Sequence, residues 1–205
     1  MLSLMETPLT LSLLVLNVLV SVYVLFIAPE AMQRLSLHPE RVLRKGEWYR
    51  LLTSGFVHVS LAHLAFNMIT LYFFGPVMER LMGSIRFGLL YVGSEMIAHV
   101  YSLWRHRNET GYSAVGASGA ISGVVFSFIL FFPFEKIYIF FIPVGIPALV
   151  FAFFYVAASM YGMRQEKMAG GGIAHDAHLA GALGGWLLTF LLEPRTLHVL
   201  LLHFR

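Results

Sequence analysis

Cysteine is absent from the 205-residue sequence, and charged residues make up only 12% of it. Without cysteine the chain can form no disulfide, no thiolate nucleophile and no cysteine-ligated zinc site. A soluble domain carries about 25% charged residues. A chain with half that share and 58% hydrophobic residues is predicted to be a membrane protein, with the lipid bilayer as its main partner.

Basic stripes are also missing. The formal net charge of +3 is spread among apolar runs, which favours contact with lipid headgroups and predicts no nucleic-acid partner. The zinc-protease pattern His-Glu-x-x-His is absent, and the sequence has no recognisable internal repeat of the kind found in transporters. We therefore predict no metal and no cofactor. The alternative is a metal site or transporter built from His58, His63, His175, Asp176 and His178.

Six hydrophobic runs are long enough to cross a bilayer, which takes about 20 mostly apolar residues in a helix. They cover about residues 9–28, 57–78, 86–104, 114–132, 143–162 and 174–192. We predict an all-α membrane protein in which residues 1–205 form a single domain, a bundle of six transmembrane helices. No Lys or Arg precedes the first run, so we expect it to be retained as a span and not removed as a signal peptide.

Two connecting segments have distinctive compositions. Residues from about 29 to 56 mix charged and apolar side chains, which predicts short helices lying in the membrane interface. In this segment Trp48-Tyr49-Arg50 combines aromatic rings with a cation for phosphate oxygens, which predicts an anchor at the headgroups. Between the fifth and sixth runs, Ala169-Gly170-Gly171-Gly172 predicts a mobile connection that could cap a site.

Polar side chains, which are costly inside a membrane, lie near the starts of the second, fourth and sixth runs. Alternate spans run in the same direction, so these three starts lie on one side of the membrane. His63, Asn67, Ser118 and His178 each lie one or two turns into their runs, and therefore at similar depth. We expect these four side chains to converge.

Glycines spaced four residues apart occur in the fourth run and in the sixth, and this spacing lets two membrane helices pack backbone against backbone. The pairs are Gly119 with Gly123 and Gly181 with Gly185. Such packing would bring Ser118 within hydrogen-bond reach of His178, whose neutral imidazole can take the hydroxyl proton. Asp176 is two residues from His178 and points to the opposite helix face. The pattern predicts a Ser–His dyad, with Asp176 as a helix cap.

An acyl-transfer site also needs hydrogen-bond donors for the oxyanion. His63 and Asn67 are four residues apart on one helix face and can supply them, together with main-chain N–H groups around Ser118. Taken singly, each of these side chains has a structural explanation, because such groups also bond to helix carbonyls or join helices. Their occurrence together favours catalysis. Structural or interfacial roles are predicted for His58, Ser113, Ser122 and His175.

Several motifs together resemble those of the rhomboid proteases, over about residues 48 to 190. Their Gly-x-Ser-Gly, Ala-His-x-x-Gly and His-x-x-x-Asn elements are similar to Gly116-Ala117-Ser118-Gly119, Ala177-His178-Leu179-Ala180-Gly181 and His63-Leu64-Ala65-Phe66-Asn67. Glu79-Arg80-Leu81 also fits the family, and Trp48-Tyr49-Arg50 matches its tryptophan-arginine element with one residue inserted.

The resemblance implies an intramembrane serine endopeptidase that cleaves transmembrane segments of membrane-protein substrates. It implies that Ser118 attacks, that His178 carries the proton, and that His63 and Asn67 hold the oxyanion. It also implies a multi-pass protein of the inner (plasma) membrane with both termini in the cytoplasm, whereas counting positive charges alone would turn the termini outward. The alternative is a catalytically silent rhomboid-like protein that binds or chaperones membrane proteins.

The chain departs from the family pattern at one position. Four residues after the nucleophile, where the family commonly has an aromatic residue packed on the catalytic imidazole, the sequence has Ser122. We consider Phe126 a candidate to replace that ring. The Phe-rich fifth run is a candidate gate for substrate entry, with a simple lipid-facing surface as the alternative.

Overall fold

The computed structural model of the chain describes residues 4–138, 144–169 and 175–203. These residues form ten α-helices and two short strands. The helices are α1 Pro8–Phe26, α2 Ala31–Leu35, α3 Pro39–Lys45, α4 Arg50–Thr53, α5 Leu61–Met82, α6 Ser84–Arg105, α7 Ser118–Phe131, α8 Ala148–Ala169, α9 His175–Leu192 and α10 Arg195–His203, and the strands are β1 Lys136–Tyr138 and β2 Gly145–Pro147.

A helix occupies each of the six predicted regions, in order α1, α5, α6, α7, α8 and α9. By length and hydropathy, two of the described helices, α1 and α5, can cross a membrane, and the pair α9 and α10, bent by 106°, would make a third if it is one span. The mostly helical membrane fold is therefore confirmed, and the count of six spans stays a prediction. Helix α7 has only 14 residues, and all of them except Ser118 and Phe128 are buried, so this helix lies inside the bundle.

The all-α prediction missed an antiparallel pair of strands. Strand β1 pairs with β2, with Ile137 opposite Ile146. The predicted start of the fifth span, at about residue 143, was wrong, because residues 145–147 belong to β2 and α8 begins only at Ala148. Hydrophobicity alone does not separate a short apolar strand from a helix, whereas the Gly and Pro that bound β2 disfavour a helix there.

The segment between α1 and α5 contains three short helices, α2, α3 and α4, as the sequence predicted; its position in the membrane interface stays a prediction. The interpretation of Arg50 as a headgroup anchor was wrong. Its side chain is 1% exposed, its Nε donates to the Glu47 carboxylate at 2.5 Å, and its Nη1 donates to the carbonyls of Gln33 and Ser36 at 3.0 and 2.7 Å. The hydrogen bond from Arg50 lowers the pKa of the Glu47 carboxyl. Arg50 thus ties the segment to itself, because a buried guanidinium must find its acceptors within the protein.

Glu79, near the end of α5, joins three helices. Its carboxylate accepts the backbone N–H groups of Leu9 and Thr10 at 3.0 and 2.7 Å, and the Ser84 hydroxyl at 2.7 Å. The first N–H groups of a helix have no partner within it, and a carboxylate is favourable at that end. Glu79 therefore caps α1 and fixes the start of α6 against α5.

Candidate active site

Ser118 is the first residue of α7, and the glycine two residues before it shapes the turn that presents it. Gly116 has φ +112, a conformation that side-chain-bearing residues rarely adopt, and its N–H donates to the Ser54 carbonyl at 2.9 Å. A Cβ added at Gly116 would lie 2.5 Å from Cε1 of His63. Glycine is therefore required here both by the backbone and by the imidazole packed against it.

Helices α7 and α9 pack backbone against backbone, as the glycine spacing predicted. A Cβ added at Gly181 would lie 2.2 Å from the carbonyl oxygen of Gly119, and one at Gly185 would lie 2.3 Å from Cα of Gly123. This contact has a direct consequence for the two polar side chains at the ends of these helices. Nε2 of His178 lies 2.7 Å from Oγ of Ser118, which is a hydrogen-bond distance.

The two predicted oxyanion residues lie on α5. The Asn67 side chain is 3% exposed, and its Nδ2 has no hydrogen-bond partner among the described residues. A buried amide without a partner is costly, so this donor is available for a group that is not part of the chain. The His63 imidazole packs against Gly116. Like Nδ2 of Asn67, the N–H of Ser118 makes no hydrogen bond within the described part of the chain.

Asp176 is not the helix cap that the sequence suggested, because its described contacts are to α6. Its side chain is fully buried, and Oδ2 lies 2.9 Å from Nε2 of His106 and accepts the Ser102 hydroxyl at 3.2 Å. The His106 ring also stacks on Tyr112, with centroids 3.7 Å apart. Asp176 therefore fixes the first turn of α9 to the end of α6, two residues before His178.

Ser122, in place of the family's aromatic residue, forms a hydrogen-bonded chain. Its hydroxyl donates to the Ser118 carbonyl at 2.7 Å, and the Tyr155 hydroxyl of α8 lies 2.5 Å from the Ser122 oxygen. Since the single Ser122 proton is engaged, Tyr155 is the donor in that pair. The suggestion that Phe126 packs on His178 was wrong, because the described ring contacts of Phe126 and His178 are with Tyr155 at 5.3 Å and with His175 at 6.2 Å.

The remaining predicted residues have the following positions. Nδ1 of His58 lies 2.8 Å from the Ser21 hydroxyl, and its Nε2 lies 3.5 Å from the Ala117 nitrogen, so His58 joins α1 to the turn before Ser118. Ser113 is exposed. Within the described residues, no three His, Asp or Glu side chains are arranged to hold a metal ion. The predicted cap at 169–172 lies, beyond residue 169, outside the described residues.

Comparison with known proteins identifies the family. A model of the Rhomboid domain matches residues 45–195, a range that includes His63, Asn67, Ser118 and His178. The chain belongs to the rhomboid family. Its match to the rhomboid protein YdcA of Bacillus subtilis is 36% identical over 148 residues, covering 71% of this chain and 68% of YdcA.

Two further rhomboid relatives have names that indicate different activities, one being named a protease and the other inactive. Rhomboid protease GluP of Bacillus subtilis is 40% identical over 82 residues, which are 40% of this chain and 15% of GluP. Inactive rhomboid protein 1 of Drosophila melanogaster is 40% identical over 83 residues, which are 40% of this chain and 6% of that protein. The chain thus spans only a small part of these two relatives, and a rhomboid domain occurs in active and inactive proteins alike.

Two ionisable residues of the rhomboid domain were missed in the sequence. Glu95 and His99 lie in α6 and are buried, at 4% and 3% exposure. Glu95 accepts the Ala120 N–H at 2.6 Å, next to the nucleophile's turn. The signal was present, since an ionisable residue inside a membrane span is a functional candidate by default. These residues lie in the middle and the latter half of the third run, away from the starts of alternate runs where the other polar side chains cluster.

Proposed function

We propose that the chain is an intramembrane serine endopeptidase that cleaves transmembrane segments of membrane-protein substrates. The observation that carries the proposal is the 2.7 Å separation of Ser118 Oγ and His178 Nε2 across the close contact of α7 and α9. A serine hydroxyl is a weak nucleophile until a base takes its proton. Membership of the rhomboid family, a family of proteases, supports the same reaction class.

In the proposed reaction, Ser118 Oγ attacks the scissile carbonyl carbon as its proton passes to Nε2 of His178. The new C–O bond gives a tetrahedral oxyanion, and His178 returns the proton to the departing amine as the peptide C–N bond breaks. The acyl-enzyme is then hydrolysed by water, which His178 deprotonates, and Ser118 is regenerated. No carboxylate is assigned to orient the imidazole, since Asp176 is engaged with His106.

The oxyanion needs donors that are free before substrate binds. The buried Asn67 Nδ2 and the N–H of Ser118 meet this condition among the described groups. We assign His63 as a third donor because its ring packs against the turn before the nucleophile. Removing one such donor in a serine protease typically lowers kcat about 100-fold to 1,000-fold.

We further propose that the six helical regions each cross the membrane, with both termini in the cytoplasm of the inner (plasma) membrane. Helix α7 is shorter than a lipid-facing span needs, which is compatible with this arrangement because its neighbours surround it. A transmembrane substrate would reach Ser118 from within the bilayer. Water for deacylation would enter from the side of the membrane where α7 begins.

Purified protein incubated with a model transmembrane substrate tests the proposal. We expect cleavage by the wild type and none above background by Ser118→Ala or His178→Ala. The matched controls are Ser113→Ala and His198→Ala, whose side chains are exposed and outside the site, and they should cleave as the wild type does. Full cleavage by the Ser118→Ala variant would exclude Ser118 as the nucleophile.

The second candidate is a catalytically silent rhomboid-like protein that binds membrane proteins, which the likeness to the Drosophila protein named as inactive favours. A fluorophosphonate probe separates the two candidates, because it reacts only with an activated serine. Labelling that depends on both Ser118 and His178 supports the protease. Substrate capture without labelling of the wild type supports the silent protein.

A further inference from the structure

A buried carboxylate that the proposed mechanism does not use lies directly behind the nucleophile. Oε2 of Glu95, on α6, accepts the backbone N–H of Ala120 at 2.6 Å. Ala120 is the third residue of α7, two residues after Ser118, and its N–H belongs to the first turn, where helical partners are missing. A carboxylate in that position also interacts favourably with the helix dipole.

His99 makes the burial of this carboxylate tolerable. Its Nδ1 lies 2.7 Å from the Leu51 carbonyl, and because a carbonyl only accepts, Nδ1 carries a proton. Its Nε2 lies 3.2 Å from Oε1 of Glu95, so the two side chains form a buried pair across one turn of α6, although no donor among the described residues is aligned for a hydrogen bond to Oε1. The imidazole beside it limits the cost of burying the carboxylate.

The surrounding glycines keep the carboxylate in contact with two backbone stretches. A Cβ added at Gly119 would lie 2.9 Å from Oε2, and one added at Gly55 would lie 2.7 Å from Oε1. The residue before Gly55 holds the other flank of the nucleophile, since the Ser54 carbonyl accepts the N–H of Gly116 at 2.9 Å. Glu95 thus contacts the backbone after Ser118 directly, at Gly119 and Ala120, and is linked to the backbone before it through residues 54 and 55.

We propose that Glu95 is a positioning residue for Ser118. By accepting the Ala120 N–H, it fixes the first turn of α7 and so keeps Ser118 Oγ aligned with Nε2 of His178. The bond gives the Ala120 N–H a partner within the protein, whereas the Ser118 N–H stays available for the oxyanion. This inference rests on the proposed serine protease function.

Two conservative changes separate the reach of the Glu95 side chain from its charge. Glu95→Gln keeps the length and an acceptor oxygen for Ala120, and its amide can donate to Nε2 of His99. Glu95→Asp keeps the carboxylate but withdraws it by about 1.5 Å, one carbon–carbon bond. We expect kcat of Glu95→Gln to stay within about 3-fold of wild type, and kcat of Glu95→Asp to fall about 10-fold to 100-fold with KM unchanged.

The control is Ser94→Ala, a buried position on the same helix that packs against Gly123, one turn further along α7. We expect kcat of this variant to equal that of the wild type. Amide hydrogen exchange at Ala120, in protein labelled with ¹⁵N-alanine, should be faster in Glu95→Asp than in wild type or Glu95→Gln. This readout tests the hydrogen bond directly and does not depend on activity.

The inference is overturned if Glu95→Asp turns over like the wild type, or if Glu95→Gln is impaired as much as Glu95→Asp. Ser118→Ala, measured in the same assay, keeps the two proposals apart. If that variant still cleaves, the proposed function is wrong whatever the Glu95 variants do. If it is inactive and the Glu95 variants behave alike, only the positioning role is wrong.

Discussion

Helix α7 packs against α9 and against α8 in two different ways. Toward α9 the contact is between backbones, and a Cβ at Gly181 would lie 2.2 Å from the Gly119 carbonyl oxygen. Toward α8 the contact is between side chains, with the Tyr155 hydroxyl on Ser122 and the Tyr155 ring 5.3 Å from that of Phe126. The two reacting side chains, Ser118 and His178, lie across the first contact.

Because of this difference, one side of the site can adjust and the other cannot. Two backbones in contact have no rotamers to change, so the separation of α7 and α9 is fixed within a narrow range. Side chains between α7 and α8 can change rotamer, and α8 exposes large aromatic side chains such as Phe153 and Phe154, at 69% and 62% exposure. We expect catalytic alignment to depend on the α9 contact, and α8 to tolerate displacement, as a gate for substrate requires.

The largest effect is expected from Gly181→Ala. The added methyl group would lie 2.2 Å from a backbone oxygen, so α7 and α9 must move apart. We expect a loss of about 3 kcal/mol in the free energy of unfolding, as overpacking costs. We also expect a fall of about 100-fold in kcat, because a shift of about 1 Å separates Ser118 from His178. Cleavage assays and denaturant titration in detergent measure both.

Gly88→Ala is the matched control for that change. It lies on α6, and a Cβ there would meet only a side-chain methyl of Leu9, at 3.0 Å, which can turn away. We expect stability and kcat close to wild type. Equal effects of the two alanines would show that the glycine contact has no special role in alignment.

An intermediate effect is expected from Asp176→Ala. This change leaves Nε2 of His106 and the Ser102 hydroxyl without their buried acceptor, which costs about 2 kcal/mol in unfolding free energy. Glu109→Ala removes the other partner of His106, but Glu109 is 58% exposed, so the loss should be below about 1 kcal/mol. A comparable loss in both variants would mean that Asp176 does not fix α9 to α6.

Much of the candidate site could be predicted because its determinants are spacing patterns within short stretches of sequence. Helical spacing brings His63 and Asn67 to one face, and small residues at intervals of four predicted the contact between α7 and α9. The approach of His178 to Ser118 then followed from two helices whose starts lie at the same level. These inferences use only periodicity and residue size, which local sequence contains.

The remaining features depend on partners far away in sequence. Besides the nearby Glu47 carboxylate, Arg50 donates to the backbone carbonyls of Gln33, within α2, and of Ser36, just after it, and no side-chain pattern marks them. The partner of Asp176 is His106, 70 residues earlier, and the acceptor of Ala120 is Glu95, on another helix. A sequence shows that such charges are costly in a membrane, but it does not show which group satisfies them.

The smallest effect is expected at the α8 contact, from Tyr155→Phe and Ser122→Ala. Each change removes one partner of the 2.5 Å hydrogen bond, so each should lower the unfolding free energy by about 1 kcal/mol. Ser122 also donates to the Ser118 carbonyl, so its replacement should cost slightly more. In the double variant the losses should not add, with a coupling energy of about 0.5 to 1.5 kcal/mol.

Strict additivity of these two changes would show that the hydroxyl pair does not join α7 to α8. The same variants also test the contrast between the two contacts. The alignment of Ser118 with His178 depends on the glycine contact, so labelling by a small fluorophosphonate should stay within about 3-fold of wild type in Tyr155→Phe. A loss of labelling as large as that of Gly181→Ala would mean that α8 aligns the dyad as strictly as α9 does.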